Sequence, residues 1–223
     1  MKKLLWMALA IITAIGAKAQ YREGTWSLQP KVGLALSTLT NMPKLTATGD
    51  VDLDKTFFFG YQIGAEVEYQ MTDHFSLAAG LNYTSQGSNW KDYKSPAISV
   101  NDCKIDLGYV NMPVLANYYL LNGLAVKAGV QLGVLVKSKF KGIVEVADPS
   151  GRVPLLLDDN YKDDCNKLDV SIPIGLSYEF DNHAVVEARY NLGLTHTNKT
   201  DLHGEKGMNN CVLVISFGYK MEL

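Results

Sequence analysis

The sequence predicts an all-β fold, an eight-stranded antiparallel up-and-down transmembrane β-barrel with short periplasmic turns and long extracellular loops. Three observations predict it. Runs of about a dozen residues alternate apolar and polar side chains, the period of a strand with two different faces. The connections between these runs alternate between tight turns and long loops. After residue 19 no apolar run approaches the roughly 18 residues a membrane helix needs, whereas a barrel dilutes its apolar residues twofold.

Residues 1–19 read as a signal peptide. Lys2 and Lys3 form the positive segment, Leu4 to Ile15 the apolar one, and Ala17-Lys18-Ala19 the cleavage site. Removing Lys2, Lys3 and Lys18 from 21 bases leaves 18 against 23 acids, a formal charge of −5. That balance excludes a nucleic-acid partner, which needs a clustered basic face. Residues 20–223 then form one outer-membrane barrel domain.

The strands fall at 26–38, 57–70, 74–86, 105–119, 124–138, 167–180, 184–197 and 208–220. The third shows the pattern cleanly: Phe75, Leu77, Ala79, Leu81 and Tyr83 alternate with Ser76, Ala78, Gly80, Asn82 and Thr84. Met71-Thr72-Asp73, Leu120-Leu121-Asn122-Gly123 and Asp181-Asn182-His183 are tight turns. Residues 39–56, 87–104, 139–166 and 198–207 are the long connections, expected outside the cell. An even strand number puts both ends of the barrel on the periplasmic rim.

The apolar face is the outward one. It carries Trp26, Val32, Leu34, Phe59, Tyr61, Ile63, Val126, Val130, Leu132, Val134, Ile174, Leu176, Leu213, Ile215 and Phe217. Aromatic residues gather at the strand ends as two girdles. Tyr69, Phe75, Tyr118, Tyr119, Tyr178, Phe180 and Tyr219 lie near the turns, Phe57 and Tyr83 near the loops.

By the same register ten charges point inward: Lys31, Glu66, Glu68, Lys127, Lys137, Asp169, Glu179, Glu187, Arg189 and Lys220. An eight-stranded barrel is just wide enough for side chains to fill. Five bases and five acids in that space predict a paired plug, because an unpaired buried charge is costly. A narrow ion path would leave an excess of one sign. Inward glycines, among them Gly80 and Gly175, make room for the long charged chains.

Several segments carry a family resemblance. Lys31-Val-Gly-Leu-Ala-Leu-Ser-Thr-Leu39 opens the barrel, and Gly60-Tyr-Gln-Ile-Gly-Ala-Glu-Val-Glu-Tyr69 leads through a turn to Phe75–Tyr83 and Gly87. Tyr109-Val-Asn-Met-Pro-Val-Leu115, Gly175-Leu-Ser-Tyr-Glu179 and Arg189-Tyr-Asn-Leu-Gly-Leu-Thr195 follow in order. Together they resemble the PorT-like outer-membrane β-barrel family of Bacteroidota across essentially all of residues 20–223. The resemblance implies an eight-stranded outer-membrane barrel and no agreed activity. The family's namesake takes part in type IX protein secretion, a role of one branch. Many outer-membrane barrels end on an aromatic residue, whereas this chain ends Tyr219-Lys-Met-Glu-Leu223.

Few constellations point to chemistry. Cys103 and Cys165 each sit at the loop-side start of a strand, so a disulfide between them stands as one reading and free thiols as the other. Cys211 lies within the last strand as a small lipid-facing residue. No C-x-x-C spacing supports a metal site. Asp50, Asp52, Asp54 and Asp158, Asp159, Asp163, Asp164 lack the Gly and terminal Glu of a calcium loop and read as solvated loops. A lipid-modifying Ser/His/acid set would need His196 as base with Ser37, Ser85 or Ser88, and no spacing singles one out. No cofactor, catalytic residue or bound metal is expected. The expected function is a non-enzymatic scaffold presenting surface loops. Its partners are outer-membrane lipid and an envelope protein or glycolipid bound through the loops. An accessory role in a protein-export or envelope complex is the alternative, and an envelope-lipid-modifying enzyme the second.

Overall fold

The computed structural model describes residues 22–41, 45–46, 52–96, 98–121, 123–148, 151–160, 162, 165–199 and 207–223. The signal-peptide reading of residues 1–19 lies outside the described residues, as do Asp50, Asp163 and Asp164. Eight long strands carry the fold. They are β1 (Trp26–Leu39), β2 (Phe58–Thr72), β3 (Phe75–Trp90), β4 (Ile98–Leu121), β5 (Leu124–Asp148), β6 (Leu168–Glu179), β7 (Ala184–His196) and β8 (Asn209–Tyr219).

Each strand pairs antiparallel with its neighbour in sequence. The ring closes where Lys31 of β1 lies opposite Gly218 of β8 and Leu39 opposite Asn210. A closed ring has no exposed edge at membrane depth, so every backbone donor and acceptor there finds a partner. The ring is also closed below: the Leu223 amide donates to the Trp26 carbonyl, 2.9 Å away. Both chain ends described thus meet at the rim that bears the turn at Asp73 and His74.

Burial is inverted relative to a soluble protein. Phe59 is 82 % exposed and Leu34 75 %, while Arg189 is 2 % and Glu187 1 % exposed. An apolar outer band around a polar interior is stable only where the outer solvent is lipid. The outer mouth differs from the rest of the lumen. There Leu39, Trp90, Ile105, Leu107, Tyr109, Leu135 and Met208 form an apolar cluster inside the ring.

The long connections contain strand of their own. β4 begins at Ile98 and β5 runs to Asp148, so these two strands reach 24 and 25 residues. Gly151–Asp159 pairs back onto β5, from Gly151 opposite Asp148 to Asp159 opposite Phe140. The stretch 139–166 is therefore mainly a β-hairpin standing above the barrel. Alternation does not announce it, because both faces of a hairpin outside the membrane meet water.

Candidate functional site

The lumen is organised around two linked charge groups. In the first, Glu66 of β2 and Glu187 of β7 share Lys31, Lys127 and Arg189. Lys31 Nζ lies 2.5 Å from Glu66 and 3.4 Å from Glu187. Arg189 donates to both carboxylates, at 2.8 Å to Glu66 and 2.6 Å to Glu187. Lys127 stands 3.0 Å from Glu187 and 4.0 Å from Glu66. Three bases thus surround two acids. Gly80 lies opposite Glu66 in register, and a Cβ there would come within 2.5 Å of the Glu66 Cγ. Gly175 plays the same part opposite Arg189.

The second group lies toward the short-turn rim. Lys220 Nζ is 3.0 Å from Glu68 and 3.3 Å from Glu179. The Tyr119 hydroxyl donates to Glu68, and Ser76 donates to the same oxygen at 2.5 Å. His183 Nδ1 is 3.1 Å from Glu179. Here two acids surround one lysine, so its excess negative charge offsets the excess positive charge above. Lys127 also attracts Glu68 and ties the two groups together.

Above them the lumen is polar and uncharged until Asp169. Thr84 donates to Gln62 at 3.2 Å, Asn111 to Thr84 at 3.1 Å, and Gln131 to Ser171 at 3.2 Å. Asp169 accepts from Asn210 at 2.9 Å and Thr195 at 3.4 Å, and no ion pair to it occurs among the described residues.

The structure therefore places nine of the ten sequence-read charges inside, and Lys137 departs. A β-bulge sets Tyr109 opposite Leu135 but Gly108 opposite Lys137. The extra residue flips the register, and Lys137 turns out to the rim, 2.6 Å from Asp106. Tyr119 moves the other way. Expected in the outer girdle, it is 6 % exposed and faces the lumen. Adjacent residues of a strand point to opposite faces, so Tyr118 and Tyr119 cannot both face lipid.

No disulfide joins Cys103, Cys165 and Cys211. Cys103 backs onto Gly142 of β5, whereas Cys165 Sγ lies 3.5 Å from Ser138 Oγ of the same strand. Four residues of extended strand separate those contacts by roughly 13 Å, too far for a disulfide. Cys211 pairs in register with Thr38 and Leu192 and is buried against its neighbours.

The Ser/His/acid reading finds no assembled set. His196 Nδ1 is 2.9 Å from Asn209 Oδ1, Ser37 donates to Gly87 O at 3.1 Å, and Ser88 donates to Thr56 O at 3.3 Å. Two aspartates of the acidic-loop reading are met by lysines: Asp54 by Lys91 at 3.4 Å, Asp158 by Lys139 at 3.7 Å. No group of three potential metal ligands occurs among the described residues.

Several solved structures are similar to this chain. Ail of Yersinia pestis is 14 % identical, with 89 % of this chain and 99 % of that one covered at a TM-score of 0.44. Neisserial surface protein A gives 14 % identity, 89 % and 100 % coverage and 0.44. OprG of Pseudomonas aeruginosa gives 13 %, 92 % and 99 %, and 0.44. No curated protein matches by sequence. Residues 18–199 match the family described as the outer membrane protein beta-barrel domain, and the chain belongs to that family.

Proposed function

We propose that this protein is a non-enzymatic outer-membrane scaffold whose working part is the β-hairpin of Phe140–Asp159, held outside the cell by a filled barrel. The observation that carries this reading is the hairpin itself. Barrel closure does not require β5 to continue past the rim, yet it does so with a partner strand registered from Asp148–Gly151 to Phe140–Asp159. That partner strand leaves Val153, Leu155 and Leu156 exposed at 54, 58 and 72 %. Apolar side chains displayed in water mark a surface that binds something.

The lumen charges support the same reading, since interlocked ion pairs fill the space a channel would need. Export through a signal peptide at residues 1–19 and membership of the PorT-like branch belong to this proposal; both are supported by sequence pattern. The test combines two measurements. A tag inserted between Ser150 and Gly151 is expected to label on intact cells, and the purified barrel is expected to show no steady conductance in planar bilayers. Labelling only after permeabilisation, or a defined open channel, would overturn the proposal.

A further inference from the structure

The wall of the barrel outside β4 and β5 carries a second feature. Above the membrane-facing run the outward positions are lysines. In register, Lys104 lies opposite Lys141, Lys139 opposite Asp106, and Lys137 opposite Gly108. Their neighbours Ile105, Leu107 and Ser138 are buried inside the ring, which fixes the lysines on the outside. Lys162 joins them from the next connection, donating to the Val136 carbonyl at 3.2 Å. Carboxylates also enter this region: Asp106 is 2.6 Å from Lys137, Asp158 is 3.7 Å from Lys139, and Asp92 and Asp102 line one surface pocket with Lys104. Lys104 and Lys141 have no ion pair among the described residues.

The depth of this face is set by its neighbours. The exposed apolar run of β5, Val130, Leu132, Val134 and Val136, ends one residue before Lys137. Tyr61 and Tyr83, with ring centroids 5.9 Å apart, mark the same boundary on β2 and β3. At about 3.3 Å per residue on tilted strands, Lys137 to Lys141 rise through roughly the first 10 Å above the hydrocarbon. That is the headgroup layer.

The arrangement also works against the fold. Like charges directly opposite one another on paired strands destabilise a sheet. Lys104 and Lys141 form such a pair, and Asp158, in register with Lys141 on its other side, offsets one of the two charges. An anion beside Lys104 offsets the other.

We propose that the outward face of β4 and β5 at this level docks a phosphorylated glycolipid of the outer leaflet. Lys104, Lys139 and Lys141 hold its phosphates, Val134 and Val136 meet its acyl chains, and Tyr83 stands at the boundary between them. The inference rests on the outer-membrane placement but not on the hairpin or the filled lumen. A failure in the conductance or labelling experiments therefore leaves it standing, and the reverse also holds.

The test uses the whole folded barrel in zwitterionic detergent, with diphosphoryl lipid A and its fully dephosphorylated form as probes, read by native mass spectrometry. The diphosphoryl probe is expected to bind about tenfold or more tightly, as several lysines near an anionic headgroup imply. The double variant Lys104→Gln/Lys141→Gln is expected to lose about tenfold in affinity for that probe. It is also expected to keep heat-modifiable folding, because the backbone pairing of β4 with β5 does not use these side chains. Lys104→Arg/Lys141→Arg is expected to keep the binding, and Arg22→Gln, at the short-turn rim beside Gly24 and Gln70, to leave it unchanged. If the double variant fails to fold, Lys104→Gln alone is read in the same way. Equal binding of the two probes would overturn the proposal. So would unchanged affinity in the glutamine variant, or a loss confined to binding of an acidic peptide, which would make the face a protein contact.

Discussion

Glu66 on β2 and Glu187 on β7 are bound by the same three cations, although β1 and β8 separate their strands in the ring. The two carboxylates are thereby fastened across the lumen. Arg189 makes the shortest contact to Glu187 and bridges to Glu66. Removing one member of a buried pair leaves its partner uncompensated. Arg189→Ala is expected to destabilise the barrel by about 3–5 kcal/mol, measured as the urea midpoint of the heat-modifiable form in lipid vesicles. Lys127→Met should do less harm, since Lys127 stands 4.0 Å from Glu66 and its loss leaves the Arg189 bridge between the two acids intact. Equal losses in the two variants would show that charge count, not the bridging geometry, decides.

The second group gives an independent prediction. Lys220 is the one base within contact distance of both Glu68 and Glu179, and Tyr119 shares Glu68. Tyr119→Phe removes one donor to a buried carboxylate. A hydrogen bond to a charged group contributes about 1.5–3 kcal/mol, so a loss of that size is expected in the same urea assay. Lys220→Met should exceed it, because two buried carboxylates are then left facing each other. The reverse order would place Tyr119, rather than Lys220, at the centre of the group.

The hairpin is expected to be separable from the barrel. Among the described residues, Val153–Leu157 pairs with β5 alone. Deleting residues 145–157 removes only the hairpin tip and much of its partner strand. Heat-modifiable folding should persist, because the ring pairings of β5 from Leu124 to Leu135 are untouched. Failure to assemble would show that the hairpin is needed for folding and would weaken its reading as a display element.

Most of the barrel is legible in the sequence because a membrane forces period-two alternation on every strand that crosses it. β1, β6, β7 and β8 depart from the expected limits by about one residue for that reason. The same rule placed Glu66, Glu187 and Arg189 together inside. What it missed are places where the period breaks or loses its cause. The bulge between Gly108 and Tyr109 sends Lys137 outward, and no residue type marks it in advance. Tyr119 was hidden by its chemistry: an aromatic residue at a strand end looks like part of the girdle, but its parity with Asn117 and Leu115 puts it inside. The extension of β4 and β5 stands in water, where nothing imposes one apolar face.

The thiols give the last prediction. Only a thiolate reacts readily with an alkylating reagent. Burial, reinforced by the nearby carboxylates of Asp92 and Asp102, pushes the Cys103 thiol up from its usual range. Cys165 is buried beside Ser138, and Cys211 is packed against its strand neighbours. In the folded barrel at pH 8, none of the three should be modified on the timescale that suffices for the unfolded chain. After unfolding without reductant, all three should be modified, since no disulfide joins them. In the folded barrel, raising the pH should bring Cys103 into reaction later than a solvent-exposed thiol, because burial and the two carboxylates disfavour its thiolate. Modification of Cys211 alone after unfolding would establish a Cys103–Cys165 disulfide and overturn the separation along β5 between Ser138 and Gly142.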